Sequence, residues 1–389
     1  MQRPAGQPQQ QWGQAQPGWG QPVVQRPVQM PAQPPYQGGY PPAPPQRGGN
    51  PLKLVLLGVV AAIAVGFFAF SLTNFLTGPA EVAGPTPSPT SGETTPPQPS
   101  PEPTPEPSPT PEIGDTPAPP VGVPEPDFDP PELPFPRTWE EVDDWLVNNA
   151  IYTASLEVPT NCTLGRIDVQ NTTVEALQEH LNNLTGCLMM VWQEPVAQAG
   201  FVMPRPPITV YTTQTPITTA CGVIDDINAA YCPADQRMYY HAQIHLSFQR
   251  NNPELMGNAF LPDLIMGHEF GHAIQGRTGI IGARIMAQRR ADEDKELSLE
   301  LSRRNELQAD CFAGAFLNAV AKASRMTDEE RAGILAMSHA IGDDSLTGRP
   351  GIVGDHGWGE NRELWTNIGM STNQQNVCNT YVAPSEQVR

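Results

Sequence analysis

The sequence predicts an α+β domain over residues 137–389, preceded by one transmembrane helix and by Pro-rich segments that stay disordered. Three observations lead there. Proline (46) and glycine (34) supply about a fifth of the 389 residues and are unevenly spread. An uncharged apolar run, Leu54–Phe75, sits among them. Beyond it, two β-rich runs precede stretches of helical character, the order expected of an α+β domain.

Residues 1–52 are rich in Gln, Pro and Gly, and residues 78–136 in Pro, Thr, Ser and Glu. Neither composition buries enough apolar surface to offset chain entropy, so both are expected to be disordered, the second as a linker. The helix expected over 53–77 is long enough for a hydrocarbon core of about 30 Å. A cleaved signal peptide fits less well, because a long tail precedes the apolar run. Arg3, Arg26, Arg47 and Lys53 lie on the N-terminal flank and no Lys or Arg occurs from Glu81 to Glu132. That bias places the N-terminus in the cytoplasm and the C-terminal domain outside it, as a single-pass protein. The tail carries Trp12, Trp19, Tyr36 and Tyr40 among Pro and Gly, which suits a Pro-motif partner as well as a solvated tail with none. The formal charge of −19 argues against nucleic acid, which needs a cationic surface.

Within the folded part, 137–200 reads as a helical N-terminal portion. Thr138 and Glu141 form a capping box at the head of a short helix. Val174, Leu177, Leu181, Leu184 and Leu188 recur at helical spacing over 173–192. The runs at 208–213 and 237–248 have the β-branched and aromatic content of strands. Pro262 opens a helix that Gly276 would close, and a longer helix is expected from 296 to 323. The six cysteines, Cys162, Cys187, Cys221, Cys232, Cys311 and Cys378, all follow the span, and their even number suits disulfides outside the cytoplasm. Fifteen pairings are possible; pairing neighbours gives Cys162–Cys187, Cys221–Cys232 and the longer Cys311–Cys378. A thiolate zinc site is disfavoured because no Cys-x-x-Cys occurs.

The segment His268-Glu269-Phe270-Gly271-His272 carries the chemistry. On a helix the two histidines project from one face and reach a single ion, while Glu269 addresses a water on that ion. Leu264, Ile265, Ala273 and Ile274 flank them, so the helix is buried, where unpaired His and Glu are costly. A catalytic zinc takes three protein ligands and keeps one position open. Glu306 and Asp310 are again four apart on a helix. Glu306 is assigned the metal, and Asp310 the N–H of a ligating imidazole, with the reverse assignment left open by the spacing.

These pieces resemble the bacterial neutral zinc metallopeptidase family often labelled YpfJ. The matching residues are Thr219–Gly222, Tyr231–Asp235, Gly267–His272 and Glu306–Gly314, followed by Ile341–Asp344 and by His356-Gly357 with Arg362 and Trp365. The similarity covers about half the chain. It implies a zincin-type fold with one Zn2+ between two helices, a protein or peptide substrate, and a bacterial cell membrane as the location. In the implied reaction Glu269 takes the proton of the zinc-bound water and passes it to the leaving amine. His356 is the candidate donor to the developing oxyanion, or else a loop histidine among Gly354, Gly357 and Gly359. Arg362 would orient His356 or the substrate. His241, His245 and His339 are expected to be structural or on the surface, and the strand near 237–248 could pair with an extended substrate. Two other functions compete: an inactive metal-binding scaffold or binding module of the cell envelope, and a disulfide-stapled structural protein without metal.

Overall fold

The computed structural model describes residues 122–389 apart from 160 and 292. The expected cytoplasmic tail, the membrane span over 53–77 and most of the linker lie outside the described residues. Among the described residues no helix is long and apolar enough to cross a membrane.

The domain is mixed α/β. Helix α1 (Trp139–Val147) starts at the expected capping box, with Glu141 N–H donating to Thr138 Oγ1 and Thr138 N–H to Glu141. Helix α2 (Val174–Gln198) buries Leu177, Leu181, Leu184 and Leu188, the predicted stripe. Five short strands come next: β1 (Ile208–Tyr211), β2 (Ile217–Thr219), β3 (Gly222–Ile224), β4 (Ala229–Cys232) and β5 (Arg237–His241). They make a three-stranded sheet in the order β1-β5-β4 and a separate β2–β3 hairpin. β1 runs parallel to β5, pairing Ile208 with Met238, and β4 runs antiparallel to it.

The remaining chain is helical: α3 (Ile244–Asn251), α4 (Leu261–Arg277), α5 (Ile280–Ala291), α6 (Lys295–Ala321), α7 (Asp328–Ala340), α8 (Asp343–Thr347) and α9 (Gly359–Gly369). The structure corrects three expectations. The strand expected over 237–248 ends at His241, and Ile244 and Phe248, four apart, begin a helix instead. Gly276 does not end α4, which runs through Arg277 and stops where Gly279 takes φ +79°, a left-handed conformation that glycine adopts without penalty. The linker expected to extend to 136 ends earlier, because residues 122–136 lie on the domain. Asp127 N–H donates to Arg205 O, the Pro131 carbonyl accepts from Gln236 and Arg277, and Phe135 covers Gly282.

The core gathers around α4 and α6, with Phe260, Phe270, Phe312 and Phe316 fully buried and Trp192 set edge-on to Phe312 at 5.2 Å. All three neighbour disulfides are present: Cys162–Cys187, Cys221–Cys232 and Cys311–Cys378. The second fastens the β2–β3 hairpin to β4.

Glycines let α6 pack closely on both sides. A Cβ on Gly271 of α4 would lie 3.0 Å from Ala309 Cα of α6, and one on Gly267 would lie 3.3 Å from Ala313 Cβ. On the other side of α6, a Cβ on Gly314 would collide with the Thr366 carbonyl of α9. Backbone cannot retreat as a flexible side chain can. Gly314→Ala should therefore cost at least about 1–3 kcal/mol. In a domain of this size that lowers Tm by several degrees, at about 2–4 °C per kcal/mol. A thermal scan in which Gly314→Ala melts with the wild type would contradict this packing.

Candidate metal centre

α4 is buried on nearly every face, so its polar residues need partners inside the protein. The Gly–Ala seam lets α6 come close enough to supply them. His268 Nε2 and His272 Nε2 lie 3.1 Å apart, and Glu306 Oε2 is 3.2 Å from the first and 3.4 Å from the second. Three ligand atoms thus converge, two from one helix and one from its neighbour.

Proton accounting shows what belongs among them. His268 Nδ1 is 2.7 Å from Asp310 Oδ1 and donates to that carboxylate. His272 Nδ1 is 2.8 Å from Gln275 Oε1. The Gln275 amide can face only one way, because its Nε2 donates to Asn305 O and Gln308 Oε1. Each imidazole therefore carries its proton on Nδ1 and turns a lone pair on Nε2 toward the other and toward a carboxylate oxygen. Three lone pairs facing one another repel unless a cation sits between them. Edges of this size suit tetrahedral zinc, for which ligand distances of about 2.0–2.1 Å give edges of about 3.3 Å. The residues present fit the ion.

Without a cation, a proton takes its place. Burial opposes charge on His268, but Asp310 and Glu306 outweigh it and hold the imidazole up at about 9. Burial likewise works against the Glu306 carboxylate, yet His272 and His268 pull it well below the usual range. The sign of two pH effects is thereby fixed. In the metal-free protein the raised His268 pKa gives stability that is fully present below about pH 6.5 and lost as pH rises through about 9. Zinc must displace that proton, so affinity should rise by up to about tenfold per pH unit toward pH 9. Calorimetric zinc titrations at several pH values should show proton release, and a pH-independent affinity would refute the assignment.

Asp310 lies behind His268, outside the group of three convergent ligand atoms. Arg362 Nε and Nη2 each donate to it at 2.9 Å, and Nη1 donates to Ile341 O at 3.2 Å. Of the two carboxylates that the spacing offered, Glu306 is the one within 3.4 Å of both Nε2 atoms, and Asp310 pairs with His268 Nδ1 instead. Arg362, expected to orient His356 or the substrate, has its guanidinium taken up by Asp310, the partner of His268, and the orienting of His356 has partners elsewhere. That task falls to Asp343 and Asp355, whose Oδ1 atoms lie 3.3 and 3.1 Å from His356 Nδ1. Asp343 Oδ2 also accepts the His356 and Gly357 N–H groups. Burial opposes charge on His356, and these carboxylates overcome it, lifting the imidazole to about 10.

Glu269 and His356 line the same cavity as the three ligands, a cleft of about 310 Å³. Glu269 Oε2 accepts the Tyr231 N–H of β4 at 2.7 Å, and among the described residues nothing donates to its Oε1. β4, not β5, is the sheet edge at the cavity, which moves the expected substrate-pairing strand to 229–232. His245 is a structural residue between Tyr240 Oη and Val169 O, His241 is buried, and His339 is exposed beside Glu363. Sequence reasoning misses Gln275, Asp343 and the Tyr231 N–H as supports. Asp343 and Tyr231 stand in segments that mark the resemblance, whereas Gln275 is signalled only by its place one turn after His272.

The family described as "Putative neutral zinc metallopeptidase" matches residues 165–381, which takes in every residue of this site. The chain belongs to this zinc metallopeptidase family. It is 31% identical over 200 residues to "Uncharacterized protein YpfJ" of Escherichia coli, covering 49% of this chain and 66% of that one. It is 28% identical over 197 residues to "Uncharacterized protein Rv2575" of Mycobacterium tuberculosis, covering 46% of this chain and 63% of that one. In both cases the chain spans less than two thirds of the relative's own length. No solved structure matches it. The zinc in the family's description accords with the three convergent lone pairs.

Proposed function

We propose that the domain is a zinc-dependent peptidase of zincin type that works outside the cytoplasm, held to a bacterial membrane by the apolar segment 53–77. The observation that carries the chemistry is the triangle of His268, His272 and Glu306 beside a carboxylate that lies apart from it, Glu269. One ion per chain would be held there. Zinc, when bound, acidifies a water and polarises the scissile carbonyl.

The protein's own groups do the rest. Glu269 is held by the β4 backbone through Oε2 and keeps Oε1 to take a proton from the attacking water and return it to the leaving amine. The Asp343 and Asp355 carboxylates favour the charged form of His356, which then offers a cationic donor where the carbonyl oxygen gains negative charge. Arg362 and Asp310 hold His268 in the tautomer that leaves Nε2 free. The Ala229 and Tyr231 carbonyls on the outer edge of β4 suit the N–H groups of an extended peptide. The apolar run, the basic residues before it and three disulfides after it support the membrane location.

The test is metal analysis combined with cleavage of a denatured protein mixture. The purified chain should carry one zinc, lose cleavage on chelation, and regain it when zinc is restored. Cleavage that survives complete removal of metal would sink the proposal.

A further inference from the structure

The cavity wall contains a cation that the metal site does not use. Arg284, on α5 between Ile281 and Ile285, lines the same cleft as His272 and Glu306. The other cations there are occupied: Arg362 grips Asp310, and His356 sits between Asp343 and Asp355. Arg284 is half-buried, and among the described residues it pairs with no carboxylate. Its Nε is buried without a hydrogen-bond partner.

Its hydrogen-bond partner among the described residues is a prop. Arg284 Nη1 donates to Gln288 Oε1 at 2.6 Å. Gln288 Nε2 in turn donates to Ser298 O and Ser302 Oγ of α6, both at 2.9 Å, so the amide oxygen has to face Arg284. The guanidinium is thus held from behind by a neutral group. Burial lifts the Tyr381 phenol above its ordinary range, and Arg284, Arg304 and Glu306 are all close enough to act on it. That places Arg284 on the Glu306 side of the cleft.

A cleft whose wall here is built from Ile281, Ile285 and Ile265 gives little reason for a fixed, unpaired guanidinium unless a ligand neutralises it. We propose that Arg284 is a specificity residue that binds a carboxylate of the peptide substrate, from an Asp or Glu side chain or from the chain terminus. The planar fork suits a carboxylate in two-point contact, and the apolar surroundings strengthen the attraction. This rests on the peptidase reading of the same cavity.

Binding separates the two readings. The zinc-loaded full chain carrying Glu269→Gln is titrated by fluorescence anisotropy with neutral extended peptides through which a single Glu is walked. Each peptide is made with a free and with an amidated C-terminus. At one position the acidic peptide should bind about tenfold tighter than its Gln counterpart, a typical gain for a charge-assisted hydrogen bond. Arg284→Gln should erase the difference and Arg284→Lys should keep part of it, which also controls for folding. A Glu-over-Gln preference that survives amidation assigns the side chain, and tighter binding of free than of amidated termini, whatever the internal residue, assigns the chain end. Equal binding of Glu and Gln peptides together with equal binding of free and amidated termini overturns the proposal, as does a preference unchanged in Arg284→Gln. If the wild type cleaves none of the peptides that the Glu269→Gln chain binds, the peptidase reading fails while the carboxylate preference is still decided.

Discussion

Glu269→Gln should abolish nearly all cleavage while leaving zinc content and thermal stability as they were. The side chain is isosteric, and its amide oxygen can still accept the Tyr231 N–H that anchors the carboxylate, so the cavity wall need not move. Glu269 is also absent from the group of convergent ligand atoms, so the ion loses no donor. Only the capacity to take up a proton disappears. General-base catalysis typically contributes about 10²–10⁴-fold, and a fall in kcat of that size with little change in KM is expected. Steady-state cleavage of one quenched peptide, with zinc measured on the same samples, is sufficient. A variant that retains its rate would transfer the base to another group. Loss of zinc along with activity would instead mean that Glu269 helps to hold the ion.

Asp310→Ala should have the second-largest effect, on both metal and fold. It deprives His268 of the acceptor that fixes its tautomer, which should weaken zinc binding by about 10–100-fold. It also leaves the Arg362 guanidinium buried without its counter-charge, a loss of about 3–5 kcal/mol. The two effects can be separated. Asp310→Leu with Arg362→Met removes both charges, so it should recover much of the stability while zinc affinity stays low. Competition with a chromogenic chelator and thermal unfolding read the two quantities. If Asp310→Ala binds zinc as tightly as the wild type, His268 is oriented by something else.

The helix pair is legible in the sequence because the physics that joins it is local. His268 with His272 and Glu306 with Asp310 are each four residues apart, and the flanking apolar residues announce burial. The neighbour pairing of the six cysteines is readable for a related reason, since two of the loops it closes are short. Features that depend on distant partners are not. The start of α3 reads as a continuation of β5 because Ile244 follows Tyr239 and Tyr240, all of which favour β structure, and only packing decides that the chain turns after His241. α5 has the look of a charged connection because Arg284, Arg289 and Arg290 mask a helix whose Ile281, Ala283 and Ile285 are buried. The strands β2, β3 and β4 are three or four residues long, too short for alternation to register. The role of Arg362 is hidden because its partner, Asp310, is 52 residues away in sequence.

The strap formed by residues 122–136 has a mechanical consequence. The Pro131 carbonyl takes a hydrogen bond from Arg277, the last residue of α4, and Leu133 lies against Gly276 on the same turn. A pull on the strap from its N-terminal side meets the Arg205 contacts of Pro124 and Asp127 first, and reaches Arg277 at the end of the histidine helix only after these give way. The contacts thus lie in series along the strap, and the outer ones take the load before the helix that carries His268 and His272 is tugged.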